Sequence, residues 1–398
     1  MRKSHFSLFA LARAAFSGRA AWPRQWRRAE PSGAYDIVII GGGGHGLATA
    51  YYLARNHGLS RIAVVERGWI GGGNTGRNTT IIRSDYFLEA SAALKEFALE
   101  LWQGLSAELN YNLMVSQRGY VDLAHSDGEL ELFILRANAM HLRGSDAVIL
   151  DRAQLGRRVP QLDLSEDARF PIAGALLQER GGTVRHDAVA WSFARAASAL
   201  GVDIIEHCPV TALDIAQNRV RAVETPAGRI AADKVVISVA GHSSTVAAMA
   251  GLTLPLESHA IQAFVTEPVK PAIDVVVNFN AGLAYLSQTD KGEIVLGGTI
   301  EPYNSYASRG SFVRIEETAA RAIAMFPFLA KMRLMRQWGG IADISMGGNA
   351  IVGSTPIDGL FINAGWGYSG FKATPAVGWT LANTLARDTP HPLLEPFA

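Results

Sequence analysis

Residues 35–66 read as an apolar strand, a glycine-rich turn, a helix and a second apolar strand ending on an acid, and few folds accommodate that order. Tyr35-Asp-Ile-Val-Ile-Ile40 is the continuous hydrophobic run of a strand buried on both faces. Gly41, Gly43 and Gly46 follow in G-x-G-x-x-G spacing, with Gly44 and His45 inside the turn. Leu47 to His57 reads as a helix stopped near Gly58, and Arg61 to Val65 as the second strand. Glu66 stands 25 residues after Gly41, at the end of that strand. The glycine spacing alone also occurs in tight turns that hold no ligand. The strand before it, the helix after it and the acid at that distance make it a dinucleotide fingerprint. The first glycine permits the turn, the second lets backbone N–H groups approach a pyrophosphate, and the third lets helix and strand pack closely. The helix N-terminus adds partial positive charge for the phosphates. Glu66 is suited to accept hydrogen bonds from both ribose hydroxyls and to repel a 2′-phosphate.

The rest of the chain alternates helices with short strands. A loop rich in glycine and asparagine runs from Gly68 to Asn78, and residues 87–109 form a long amphipathic helix. A short strand and a helix occupy 147–160. Asp187 to Leu200 reads as a helix with Asp187 as its N-cap. Short strands fill 202–239, residues 257–300 alternate as an antiparallel sheet, and residues 311–325 form a helix. The chain closes with a strand (Leu360 to Asn363), a second glycine turn (Gly365 to Gly370) and a helix (Thr374 to Arg387). This pattern predicts a mixed α/β (α+β) protein. A Rossmann-like dinucleotide domain is interleaved with a second domain built on an antiparallel sheet, and 398 residues suit two such domains. The second glycine turn can bring another helix N-terminus towards the flavin end of an extended FAD, which favours FAD over NAD. An ordinary glycine-rich turn is the equal alternative.

Charge and cysteine content narrow the function. With 37 basic and 36 acidic residues, nothing global points to nucleic acid or to an anionic membrane. The single cysteine, Cys208, excludes an intrachain disulfide and a cysteine-based metal site, and suits a reducing cytoplasm. No other metal site is expected. The first 28 residues carry Arg2, Lys3, Arg13, Arg19, Arg24, Arg27 and Arg28 and no acid before Glu30. Arg13 interrupts the apolar part, so a secretory signal fits poorly. Phe6, Leu8, Phe9, Leu11 and Ala12 lie at helical spacing and suggest a short docked amphipathic helix. No run is long enough to span a bilayer.

Six longer segments together are specific. They are Tyr35 to Ala54, Gly71 to Arg83, Arg180 to Trp191, Ala240 to Ser244, Gln337 to Ile341 and Gly370 to Pro375. The chain resembles the β subunit of heterotetrameric sarcosine oxidase over essentially its whole length. The resemblance implies a D-amino acid oxidase-like fold. Residues 34–110, about 180–255 and 340–398 would form the FAD-binding domain. About 111–179 and 256–339 would form the substrate domain, with 1–33 as a basic N-terminal arm retained in the mature fold. It also implies non-covalent FAD, where the amine is oxidised, and FMN attached through a histidine at the interface with an α subunit. Electrons pass from FAD to FMN and on to oxygen, giving hydrogen peroxide. NAD and zinc are expected on partner subunits only. The α subunit passes the iminium product to tetrahydrofolate, and small γ and δ subunits complete the complex.

Residue by residue, His186 in Val-Arg-His-Asp-Ala matches the FMN-linking histidine. Attack on a flavin needs the neutral ring, which Arg185 favours and Asp187 opposes. Arg83 and Lys372 match the pair that binds the substrate carboxylate, one as a bidentate clamp and one as a point charge. Read without the resemblance, they are two ordinary cations. Cofactor contacts are implied for Gly41, Gly43, Gly44, His45, Gly46, Glu66, Arg67, Gly73, Asn74, Thr75, Arg77, Asn78, Val210, Gly365, Gly367, Gly370, Phe371 and Lys372. Tyr285, Trp338 and Trp366 either line the pocket or belong to the core, and His242 reads as structural. The chain departs from the family pattern at 344–352, at Tyr368-Ser369 and at Leu283, all on the expected substrate side. The alternatives are therefore an N-methylglutamate dehydrogenase-type subunit and a catalytically silent flavin-binding subunit.

Overall fold

The computed structural model describes residues 7–17, 24–279 and 283–398. Two eight-stranded sheets organise it. In the first, the spatial order is Ile351–Ser354, Leu360–Ala364, Gly228–Ile237, Ala34–Ile40, Ile62–Val65 and Asp203–Ile205. The hairpin strands Ala212–Ala216 and Arg219–Thr225 extend from Gly228–Ile237. Pairings from Leu360–Ala364 through to Asp203–Ile205 are all parallel, and Ile351–Ser354 adds an antiparallel edge. Both faces are covered, which is why Tyr35 to Ile40 reads as an unbroken apolar run. Ile37 and Ile39 pack with the helices Gly44–His57, Glu89–Glu108, His186–Ala199 and Gly370–Arg387. Val38 and Ile40 face Val220, Val223, Val246 and Ala247 on the other side.

The second sheet runs Leu334–Ser345, Leu256–Pro268, Glu293–Asn304, Ala284–Gln288, Val276–Phe279, Tyr120–Ala124, Gly174–Gln178 and Val148–Leu150. It is antiparallel, as expected for 257–300, except where Val276–Phe279 pairs in parallel with Tyr120–Ala124. That pairing recruits segments from two distant parts of the chain into one sheet. Helix Phe312–Met325 covers it through Thr318, Ala322 and Met325.

Several local expectations need correction. The helices expected from Leu47 and Thr374 begin at Gly44 and Gly370, so the glycine turns run directly into helix. Pro375 lies inside the second of these helices and made the residue before it read as a start. Asp187 is not the N-cap of its helix. Arg185 holds that place, and the Asp187 carboxylate accepts from the Ala188 N–H at 2.7 Å within the first turn. Helix Asp127–Leu142 was not anticipated. It buries only Ala137 and Met140, so its apolar period is weak, yet Ser126 caps it and Glu129 reaches back to the His125 N–H. The N-terminal helix forms over Leu8–Ser17 but is not docked, because Leu8, Phe9, Leu11 and Phe16 are exposed. Phe6, Arg2, Lys3 and Arg19 lie outside the described residues. The arm is held further on, where Trp26 donates to Glu206 at 3.2 Å and Arg27 pairs with Asp203 and donates to the Gly201 carbonyl at 2.8 Å. No helix among the described residues is long and apolar enough to cross a membrane.

Candidate functional site

A cavity of about 740 Å³ runs from the first glycine turn to the second, between the two sheets' strand ends. Its glycines divide by task. Gly41 has φ +116°, and a Cβ there would stand 2.2 Å from the Ser238 carbonyl oxygen. Gly46 does not face the cavity. A Cβ on it would stand 2.2 Å from the Gly41 oxygen, so it serves the close approach of helix and strand. Gly43 occupies the N-cap with no side-chain cap, and the Gly44 N–H at the cavity wall donates to the Thr75 hydroxyl at 2.9 Å, which leaves the ligand the helix N-terminus and its remaining first-turn N–H groups. Glu66 is fixed by accepting from Gly42 N–H at 2.9 Å and Gly68 N–H at 2.8 Å. Each carboxylate oxygen keeps a lone pair for a ribose hydroxyl. These are the features of a dinucleotide cradle, and the chain fits FAD.

The remaining cofactor candidates fall into two groups. Arg67, Gly73, Thr75, Arg77, Val210, Gly367, Gly370 and Phe371 line the cavity. Asn74 and Asn78 line it too but spend their amides on the fold. Asn74 bridges both backbone groups of Ile341, at 2.5 and 2.9 Å. Asn78 accepts from the Thr80 N–H at 2.6 Å, holding that β-branched residue at φ +69°. Tyr285, Trp366 and Leu283 line the cavity, whereas Trp338 does not and instead donates to the Arg77 carbonyl at 2.7 Å. His242, expected to be structural, also reaches the cavity.

The second turn is organised from within. Gly365 does not line the cavity. Its N–H donates to the buried Asp343 carboxylate at 2.6 Å, and the Gly367 N–H donates to the Asp343 carbonyl at 2.9 Å. Burial pushes the Asp343 carboxyl up to about 6, against the pull of the N–H groups it accepts from. Sequence reasoning missed this residue, because 22 positions separate it from the turn it holds. His45 ties the two turns together. One ring nitrogen lies 2.8 Å from the Gly370 carbonyl, the other faces Asn363, and Trp366 meets the ring edge-on at 5.2 Å. Burial pushes the His45 pKa down, so the ring is a neutral strut.

Arg83 and Lys372 both line the same cavity. Arg83 pairs with buried Asp85 and lies between the rings of Tyr86 and Tyr120, 4.6 and 4.7 Å from their centres. Asp85 is also approached by Arg136 at 3.9 Å, and Arg136 pairs with Asp122 at 2.7 Å. Lys372 is buried, and its ammonium donates to the Tyr368 carbonyl at 3.0 Å. Trp102 pins its backbone by donating to the Lys372 carbonyl at 2.9 Å. Burial, then repulsion from Arg83 and Lys95, pushes the Lys372 amine well below its ordinary value. Lys95 itself was missed, though a signal existed: it falls on the buried stripe Ala92, Lys95, Leu99, Trp102 of an amphipathic helix.

His186 stands apart from this cavity, at the start of its helix and 21% exposed. Its Nδ1 accepts the Asp187 N–H at 2.8 Å. Burial lowers the ring's pKa, Asp187 raises it and Arg185 lowers it, with a net fall that favours the neutral form. The Gly73–Asn78 loop has residues on the cavity wall, and the Gly76 backbone of that loop acts on the His186 ring, raising its pKa.

Comparison with known proteins agrees with this geometry. The model of the FAD dependent oxidoreductase family (DAO) matches residues 36–384. The sarcosine oxidase subunit beta of Rhizobium meliloti (strain 1021) is 52% identical over 380 residues, covering 96% of this chain and 91% of that protein. The sarcosine oxidase subunit beta of an Arthrobacter species is 47% identical over 373 residues, covering 94% of this chain and 92% of that protein. Among solved structures, L-proline dehydrogenase from P. horikoshii superposes with a TM-score of 0.85 at 27% identity, covering 91% of this chain and 96% of that one. Glycine oxidase from Geobacillus kaustophilus shares the fold, with a TM-score of 0.83 at 22% identity over 92% of this chain and 98% of that one. The chain belongs to the FAD-dependent oxidoreductases, within the sarcosine oxidase β-subunit family.

Proposed function

We propose that this subunit oxidises a small N-methyl amino acid, sarcosine by preference, held by its carboxylate on Arg83 and Lys372. One observation carries the reading: two cations 289 positions apart converge, largely buried, on one cavity beside the second glycine turn. Burying a lysine without an acidic partner is costly, and the cost is offset when an anion binds. FAD along the cavity supplies the hydride acceptor. Arg83, oriented by Asp85 and two aromatic rings, presents its remaining N–H donors to one carboxylate. Lys372 adds a point charge from the first turn of the C-terminal helix. Anchoring one end of so short a substrate aims its methyl group. With the amine bound neutral, its lone pair assists departure of the hydride and no dedicated base is needed.

The finer reading continues outside the cavity. His186 would hold FMN covalently at an interface with an α subunit; that group would supply electron transfer to oxygen, giving hydrogen peroxide, and tetrahydrofolate on the partner would take the iminium carbon. The γ and δ subunits complete the assembly. The division into an FAD-binding domain (34–110, about 180–255 and 340–398) and a substrate domain (about 111–179 and 256–339) is part of this reading, although strand Leu334–Ser345 of the second sheet crosses its last boundary. Support comes from the net fall in the His186 pKa and from Gly76 contacting its ring. Flavin retained after acid precipitation and mapped to the His186 peptide, with a second flavin released as FAD, is the expected result. Release of all flavin overturns the two-flavin reading. A panel of sarcosine, N-methylglutamate and proline under anaerobic conditions ranks the substrates by flavin bleaching. Bleaching by none of them supports the silent subunit instead.

A further inference from the structure

Lys95 has no place in the reading above, yet its surroundings are unusual. It is 1% exposed on the inner stripe of helix Glu89–Glu108. Among the described residues it has no carboxylate partner. Its ammonium lies 4.5 Å from the centre of the Tyr86 ring and 5.3 Å from that of Trp366. The Tyr86 ring is shared with both clamp cations, Arg83 at 4.6 Å and Lys372 at 6.0 Å. Three cations therefore surround one phenol ring. An aromatic face attracts a cation but carries no net charge. The acid of this cluster, Asp85, is engaged by Arg83 and approached by Arg136. The groups facing Lys95 from other elements leave the imbalance standing. His45 on helix Gly44–His57 is a buried, neutral ring, Trp366 is uncharged, and Tyr86 is held in its neutral form by burial. On its own helix, Glu96 is turned to Arg180, Ser84 and Ser145.

We propose that Lys95 is a positioning residue of the carboxylate clamp: a third, titrating cation behind Tyr86 that couples arrival of a substrate carboxylate to uptake of a proton from water. The inference rests on the clamp reading of Arg83 and Lys372. Burial and the neighbouring Arg83 already lower the Lys95 amine to about 7. An anion arriving on the clamp compensates that repulsion and favours the protonated form. The occupied site then holds more protons than the empty one above pH 7, and carboxylate affinity falls as pH rises through that range. Below pH 7 the amine is already charged and the dependence on Lys95 levels off.

The test uses the flavin-loaded complex and methoxyacetate, an unreactive ether of sarcosine's shape. Titration calorimetry at pH 8 in two buffers of different ionisation heat counts the protons taken up. Wild type takes up protons on binding. Lys95→Met binds about fivefold more weakly at pH 7, takes up fewer protons and shows a correspondingly shallower pH dependence between 7 and 9, with its FAD content unchanged. Lys95→Arg, permanently charged, restores affinity while keeping the shallower pH dependence. Wild-type proton uptake in Lys95→Met, or an equal loss of affinity at every pH, overturns the proposal. So does absence of proton uptake by wild type, a measurement that needs no variant to fold. Unaltered binding by Arg83→Met removes the clamp itself, a result separate from any outcome at Lys95.

Discussion

The two glycines of the phosphate turn that do different work give a paired experiment. Alanine at Gly46 would place a Cβ 2.2 Å from the Gly41 carbonyl oxygen and 3.2 Å from the Ile39 side chain. The Gly41 backbone is held at the end of its strand, its N–H donating to the Val65 carbonyl at 2.8 Å, so its oxygen cannot swing aside and the helix must lift from the strand. Overpacking of this kind costs about 3 kcal/mol. With an unfolding entropy of about 2.1 cal/mol/K per residue over 398 residues, that lowers the melting temperature by about 4 °C. Alanine at Gly43 meets only the Thr75 hydroxyl at 3.2 Å, and a small shift of that side chain relieves it while it still accepts the Gly44 N–H. Its cost to the flavin-free fold is the loss of a glycine N-cap, about 0.5 kcal/mol or under 1 °C. The Gly43 Cβ nevertheless stands at the mouth of the helix, where the backbone must approach a pyrophosphate. FAD affinity should fall at least about tenfold, or 1.4 kcal/mol. Thermal melts of flavin-stripped protein read the first effect, and FAD titration by fluorescence quenching reads the second. A Gly43→Ala variant with wild-type FAD affinity, or a Gly46→Ala variant with an unshifted melt, refutes the division of labour.

Other outcomes follow from the site. Arg83→Met and Lys372→Met should each reduce sarcosine-dependent flavin bleaching at least about a hundredfold, as expected for a buried charged contact worth about 3 kcal/mol, and retained bleaching removes the clamp. Asp343 has its folded-state pKa raised to about 6 from an ordinary 3.8. The folded state therefore holds a proton between those values that the unfolded chain has lost, and stability falls by about 3 kcal/mol as pH rises across the window. Asp343→Asn should flatten that segment of the stability profile, and an unchanged slope between pH 4 and 6 contradicts the assignment. His186→Asn should leave FAD binding intact while abolishing acid-stable flavin, read directly from the precipitated pellet.

What could be read from the chain was local and periodic. Strand, turn, helix and acid between Tyr35 and Glu66 are contiguous, and each residue's job there is set by its neighbours within a few positions. The boundaries that slipped, Gly44 and Gly370, lie where glycine's poor helix propensity is overridden by packing against the opposite helix: a Cβ on Gly378 would stand 2.4 Å from that of Ala48. The undocked Leu8–Ser17 helix shows the converse, since helical period alone does not say what an apolar face packs against. Asp343 escaped notice because its partners are backbone N–H groups on a distant turn, which no side-chain pattern encodes. Lys95 stood in plain sight as a charge on a buried stripe, but only the fold reveals that Tyr86, Trp366 and Lys372 meet around it.

The His45 strut has a temporal consequence. It joins the turn at residue 41 to the helix that begins at Gly370, and the strand between the two turns, Leu360–Ala364, enters the sheet beside Gly228–Ile237. The cradle's first half leaves the ribosome hundreds of residues before the second half exists. Cofactor capture thus belongs to the finished chain. A polypeptide stalled ahead of Gly370 would emerge with its glycine turn made and the far end of its cavity open.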